Sequence, residues 1–281
     1  MSRDSEDRPA PGAAKSGTGR RWRLAAVAAG VAVALAAGAA VLAPQWLAGW
    51  IGPPPDNAPH APPQDPMGRF VAAVLGAAED RWREVLPREG KTWRPARLVL
   101  FTRRTRSGCG RVQAETGPFY CPDDERIYLD TVFFHEIEAR FHGCEGKTCQ
   151  FAQAFIIAHE IGHHVQKIVG DMDRAVVMQR GLPEAAANKI QVKVELQADC
   201  FAGIWAHHAQ AKWDFLEPGD VEAVLATIAA TGDDVLQRQE EGEVMPDTFT
   251  HGTSEQRRRW FLRGFTSGAM ADCNSLDVAE P

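Results

Sequence analysis

The chain has 281 residues, 44% hydrophobic and 24% charged, which fits one sizeable folded domain with appendages and excludes wholesale disorder or a collagen-like rod. Residues 1–23 hold six Lys/Arg against three acids, so the 25 basic and 34 acidic side chains that follow leave the body at about −9. A body of that sign is repelled by phosphate backbones, and no local basic patch offsets it, so nucleic-acid binding is not expected.

Four segments follow in chain order: a basic tail over 1–23, an apolar helix over 24–43, a linker over 44–66 and a folded domain over 67–281. Leu24 to Ala43 is an uncharged run of Ala, Val, Leu and Gly, about the length that a helix needs to cross a bilayer. Arg20, Arg21 and Arg23 precede it, and Trp22, Trp46 and Trp50 flank it as interfacial aromatics would. Basic residues stay on the cytoplasmic side, so the expectation is a single pass through the inner (cytoplasmic) membrane with the folded domain periplasmic or extracellular. A cleaved signal peptide is the competing reading, because eleven of the twenty residues are Ala; Pro44 just after the run is a poor context for cleavage. Gly30, Ala34 and Gly38 form a small-xxx-small face through which two copies could pair as a homodimer. The prolines of 53–66 read as an extended stalk, in which His60 is a solvated residue.

In the folded domain, Phe70, Val71, Val74, Leu75, Ala78, Trp82, Val85 and Leu86 recur with the 3.6-residue period of an amphipathic helix over Met67–Leu86, ended by Pro87. Ala96–Phe101 and Arg126–Asp130 read as strands, separated by a turn-rich stretch with Gly108, Gly110, Gly117 and Pro118. Helices are expected at Gln150–Val169, about Asn188–Gln210 and Asp220–Gly232. A small sheet followed by helices is an α+β arrangement. The six cysteines allow fifteen pairings. Closure of the turn-rich hairpin favours Cys109–Cys121, closure of a small loop Cys144–Cys149, and a tie from the C-terminus to a helix Cys200–Cys273; free buried cysteines are the alternative.

The chemistry concentrates in His159-Glu160-Ile161-Gly162-His163. Two histidines four apart on a helix project from one face and can grip one metal ion, and Glu160 beside the first can take a proton from a water that the ion polarises. The pattern arises by chance in roughly one chain of this length in a hundred, so it needs support from elsewhere. Glu195, 32 residues after His163, supplies a third donor, leaving the fourth position of a catalytic zinc site open. Asp199, one turn on, can hold the far nitrogen of a ligand histidine. His251 is a candidate donor to the oxyanion of a tetrahedral intermediate, or else a buried histidine paired with Arg257 or Arg258. His164 points about 100° from His163, so it is expected to support the site from behind or to be structural rather than to be a ligand. Tyr120 and Tyr128 are the chain's two tyrosines; Tyr128 could lie on a strand that pairs with a substrate backbone, or simply pack in the sheet.

Cys109-Gly110, Gly117–Pro122, Ile127–Asp130, Ala158–Gln166, Glu195–Gly203 and Phe249–Phe261 together resemble the bacterial family of neutral zinc metallopeptidases (YpfJ-like), among the gluzincin-type zinc peptidases. The resemblance spans about Met67 to Cys273, with Cys144 and Cys149 as additions. It implies a zincin-like fold with the HExxH helix at its centre, a zinc cofactor, and hydrolysis of peptides or proteins, as an endopeptidase. A catalytically silent zincin-fold binding or scaffolding protein of the cell envelope is the alternative, and a secreted nuclease or other hydrolase a third. Glu160 favours the enzyme, because a purely structural metal site needs no base.

Overall fold

The structure, a computed structural model, describes residues 65–113, 117–133, 147–214, 216–217 and 219–281. The tail, the apolar run 24–43 with its pairing face, and the stalk up to residue 64, including His60, lie outside the described residues. Among the described residues no helix is long and apolar enough to cross a membrane.

The first helix, α1 (Pro66–Val85), begins where Asp65 accepts from the Gly68 amide at 2.7 Å and Pro66 occupies the first turn. It buries Val71, Val74, Ala78, Trp82 and Val85, one stripe at helical spacing. Pro87 then tightens the chain into a 3₁₀ turn, closed by Gly90 in the left-handed region at φ 68°.

Five strands follow: β1 (Arg97–Phe101), β2 (Arg104–Ser107), β3 (Gly110–Gln113), β4 (Phe119–Cys121) and β5 (Arg126–Asp130). β5 is central, parallel to β1 with Leu98 opposite Ile127, and antiparallel to β4 with Tyr120 opposite Ile127. Its Ile127, Tyr128, Leu129 and Asp130 are all buried, as a strand covered on both faces must be. β2 and β3 form a separate hairpin inside the stretch expected to be turns, and Cys109 at its tip is bonded to Cys121 of β4 with Cα atoms 5.8 Å apart. A two-stranded ribbon is marginal alone, and the disulfide ties it to the sheet.

The helical part is larger: α2 (Lys147–Val169), α3 (Asp171–Gln179), α4 (Glu184–Trp213), α5 (Asp220–Ala230), α6 (Asp233–Glu240) and α7 (Ser254–Ser267). The architecture is mixed α+β, mostly helical with a small sheet. Helix α2 starts earlier than expected, α4 extends at both ends, and α3, α6 and α7 were not among the expected elements. Helix α7 starts with a reciprocal cap between Thr253 and Gln256. It lies backbone to backbone on α4: a Cβ at Gly264 would meet the Cys200 carbonyl oxygen at 1.9 Å, and one at Gly203 the Phe261 oxygen at 2.2 Å. The core forms where α1, α2, α4 and α7 meet, with Trp82 edge-on to Phe201 and Phe155 edge-on to Phe261.

Cys200 of α4 is bonded to Cys273, tying the C-terminal turns to the core, as expected. Cys149 is also disulfide-bonded, and Cys144, its expected partner, lies outside the described residues.

Candidate metal centre

α2 and α4 cross at the HExxH segment because Gly162 lets them: a Cβ there would stand 3.0 Å from the Ala198 carbonyl oxygen and 3.1 Å from its Cα. This close approach brings Glu195 of α4 over the histidine face of α2. Glu195 Oε2 lies 3.2 Å from His159 Nε2 and 3.3 Å from His163 Nε2, and the donor atoms of all three residues fall within 4.8 Å of one another. The Glu195 carboxylate is aimed from behind by Gln191, whose Nε2 donates to Oε1 at 2.9 Å. All three residues are buried to within a tenth of their surface.

Two imidazole nitrogens and one carboxylate oxygen converging on a point are the donor set of a catalytic zinc site. Glu160 supplies the fit test. Its carboxylate is buried beside this point, and Oε2 has no hydrogen-bonding partner among the described residues, a costly arrangement unless something else occupies the space in front of it. The residues therefore fit the ion. Burial pushes the Glu160 carboxyl up from its ordinary value, against the pull of His159 and His163. For Glu195 burial works the same way but loses to the two imidazoles, which hold the carboxyl well below the usual range.

Behind His159 stands Asp199, its Oδ1 2.9 Å from Nδ1. Asp199 is fully buried and is held by a fork from Arg257, with Nε to Oδ2 and Nη2 to Oδ1 both at 2.9 Å. Arg257 Nη1 donates in turn to the carbonyl and hydroxyl of Thr231. Burial would raise the Asp199 carboxyl, but Arg257 and His159 outweigh it and hold it low. Asp199 thus stands behind His159, and Arg257, which was not expected there, anchors it. Its signal was readable, since Arg257 sits three and four residues before Trp260 and Phe261, on the apolar face of α7.

His251 lies at the mouth, half exposed, with Nδ1 3.1 Å from the Thr250 hydroxyl and 3.3 Å from Asp233 Oδ1. It is not paired with Arg257, which belongs to Asp199. Asp233 Oδ2 accepts from three successive amides, Thr250, His251 and Gly252, at 2.7–2.9 Å, so one carboxylate sets the whole loop. That contact raises the His251 pKa from its ordinary value, against burial. His164 is structural as expected, bonded to the Tyr120 hydroxyl at 3.1 Å and the Arg94 carbonyl at 2.8 Å. Tyr128 packs inside the sheet and donates to Asp124 at 2.6 Å, and its strand β5 lies between β1 and β4, so neither edge is open to a substrate backbone.

The centre opens into a cleft of ≈ 350 Å³. Pro118, Phe119 and Pro122 form one wall, Met172, Ala175 and Val176 of α3 another, and His251 the rim. The α3 wall is a feature that the sequence reading did not contain.

A family model described as "Putative neutral zinc metallopeptidase" matches residues 6–276. The chain is 44% identical over 216 residues to "Uncharacterized protein YpfJ" of Escherichia coli (strain K12), covering 77% of this chain and 74% of the relative. It is 39% identical over 219 residues to "Uncharacterized protein Mb2605" of Mycobacterium bovis, covering 75% and 71%. No solved structure matches it. The cofactor that the family description implies is zinc, for which the donors of His159, His163 and Glu195 form a suitable set. With a match that runs through nearly its whole length, the chain belongs to this family of neutral zinc metallopeptidases.

Proposed function

We propose that the protein is a zinc-dependent peptidase of zincin-like fold, an endopeptidase anchored in the inner membrane with its active site outside the cytoplasm. The observation that carries the enzymatic reading is the buried, unpartnered Oε2 of Glu160 beside the His159, His163 and Glu195 donors, on the floor of an open cleft. When bound, zinc supplies Lewis acidity that polarises a carbonyl and lowers the pKa of a water toward about 7. His159, His163 and Glu195 would hold the ion. Glu160 takes the proton from the attacking water and returns it to the departing amine, a task suited to a carboxyl that burial makes more basic than usual. His251, held through Nδ1 by Asp233 and lining the cleft, serves as a donor to the developing oxyanion.

The open cleft favours an extended peptide as substrate over a small molecule enclosed on all sides. Stripping the metal with a chelator should abolish hydrolysis of a peptide mixture, and zinc should restore it; hydrolysis that survives complete removal of zinc would exclude this reading. A catalytically silent scaffold would show zinc uptake with no hydrolysis. The disulfides support placement outside the cytoplasm, since such bonds persist there. A reporter that is active only after export, fused after Pro281, should therefore be active, and a silent fusion in export-competent cells would contradict the topology.

A further inference from the structure

His163, unlike His159, has no carboxylate behind it among the described residues. Its Nδ1 lies 2.8 Å from Gln166 Oε1, one turn along α2. Gln166 Nε2 donates to the Val194 carbonyl at 2.7 Å and to Gln197 Oε1 at 2.9 Å. Gln197 Nε2 donates to Asp171 Oδ2 and to the Cys273 carbonyl, both at 2.9 Å. Both amides are buried, Gln166 completely.

The direction of this chain is overdetermined. An amide has an accepting and a donating end of nearly the same shape, so its orientation follows from what it faces. The Val194 and Cys273 carbonyls only accept, and a carboxylate at Asp171 does the same. Turning Gln197 around would set its oxygen against Asp171 and Cys273 together; turning Gln166 would set its oxygen 2.7 Å from the Val194 oxygen. Both amides must point their nitrogens away from the centre, which leaves Gln166 Oε1 facing His163. That oxygen demands a donor, so Nδ1 carries a proton and the lone pair of the neutral ring lies at Nε2, the atom facing Glu195.

We propose that Gln166 and Gln197 are positioning residues that set the tautomer and ring orientation of His163 for zinc, through a neutral relay anchored at Asp171 and Cys273. This rests on the metallopeptidase reading. The anchors are well fixed: Asp171 opens α3 after the left-handed Gly170 (φ 97°), and Cys273 is bonded to Cys200, three residues beyond Gln197 on α4.

The test is zinc affinity, by competition with a fluorescent chelator on the full chain, together with melting of the metal-stripped protein. Gln166→Leu, which removes the acceptor, should weaken zinc binding about tenfold to a hundredfold. Gln166→Glu keeps an acceptor at His163 while spoiling the contacts to Val194 and Gln197, so it should recover most of the zinc affinity despite a lower melting temperature. A residue that only fills space would show the reverse order, because leucine fills the volume without burying a charge. Gln197→Leu touches neither histidine and should weaken zinc by a smaller, measurable factor. Wild-type affinity in Gln166→Leu, or weaker binding in Gln166→Glu than in Gln166→Leu, overturns the proposal. Should Gln166→Leu fail to fold, wild-type affinity in Gln197→Leu, or affinity in Gln166→Glu lower than in Gln197→Leu, overturns it equally. Zinc uptake lost in Glu195→Ala but intact in Gln166→Leu would sink this inference alone, whereas a wild-type chain that takes up no zinc would sink the metallopeptidase reading with it.

Discussion

His159 and His163 stand one turn apart on the same helix and meet the same oxygen of Glu195, yet the chain backs them with opposite chemistry. Behind His159 is a buried ion pair, Asp199 with Arg257; behind His163 is a run of neutral amides. An anion behind an imidazole makes the ring more basic and a stronger donor. Two anions would add a second buried charge needing its own counterion, and α7 brings only one buried arginine to this place among the described residues. The amides fix orientation without that cost.

Four substitutions rank the parts of this arrangement. Glu195→Ala should have the largest effect, since both histidines converge on its Oε2; zinc content and hydrolysis should both collapse, as measured by metal analysis of protein purified without chelators. Loss of metal in Asp199→Ala with full occupancy in Glu195→Ala would reverse the two carboxylates. Next comes the ion pair. Removing one partner strands a buried charge, so Arg257→Met should lower the unfolding free energy by about 3–5 kcal/mol in denaturant titrations. Asp199→Ala should keep measurable zinc but bind it about tenfold to a hundredfold more weakly. His251→Ala should leave both stability and zinc content near wild type while lowering turnover about a hundredfold. Unchanged turnover would remove His251 from the reaction.

The difference between the two backings also has a pH signature. Burial works against the ionised form of Asp199, but Arg257 and His159 hold its carboxyl below the ordinary aspartate value. A depressed carboxyl stabilises the fold above its unfolded pKa, and that contribution disappears as pH falls through the folded value. Unfolding midpoints of the metal-stripped protein should accordingly drop on acidification, and Asp199→Asn should flatten part of that drop. Gln166→Leu should change the slope less, since it replaces no titrating group and only loosens one contact to His163. A slope altered equally by both substitutions would erase the distinction between charged and neutral backing.

Much of the centre was legible in the sequence because helical geometry makes it so: His159, Glu160 and His163 at fixed spacing, then Glu195 and Asp199 one turn apart, with apolar neighbours that imply burial. The stripe of α1 and the strands β1 and β5 were readable on the same grounds. The strands β2 and β3 were not, because Arg104–Ser107 and Gly110–Gln113 are short and polar and lack the alternation that marks a half-buried strand. Helix α7 hid behind three consecutive arginines, although Thr253 and Gln256 carried its capping signature. Gly162, Gly203 and Gly264 read as helix-weakening residues until their partners are known; each marks a place where two helices touch backbone to backbone. Gln166 lay on the histidine face of α2, three residues past His163, but its partners come from α4 and the C-terminal turns, which spacing alone does not bring together.

The most direct test of the account is to purify wild type and Glu160→Gln side by side without chelators, and to measure zinc per chain and hydrolysis of a peptide mixture on the same samples. The side chains have the same shape, and Glu160 is not among the three donors. One zinc per chain in both proteins, with hydrolysis in the wild type alone, is the expected result. Equal hydrolysis by both proteins, or zinc lost along with the carboxylate, would contradict the role assigned to Glu160.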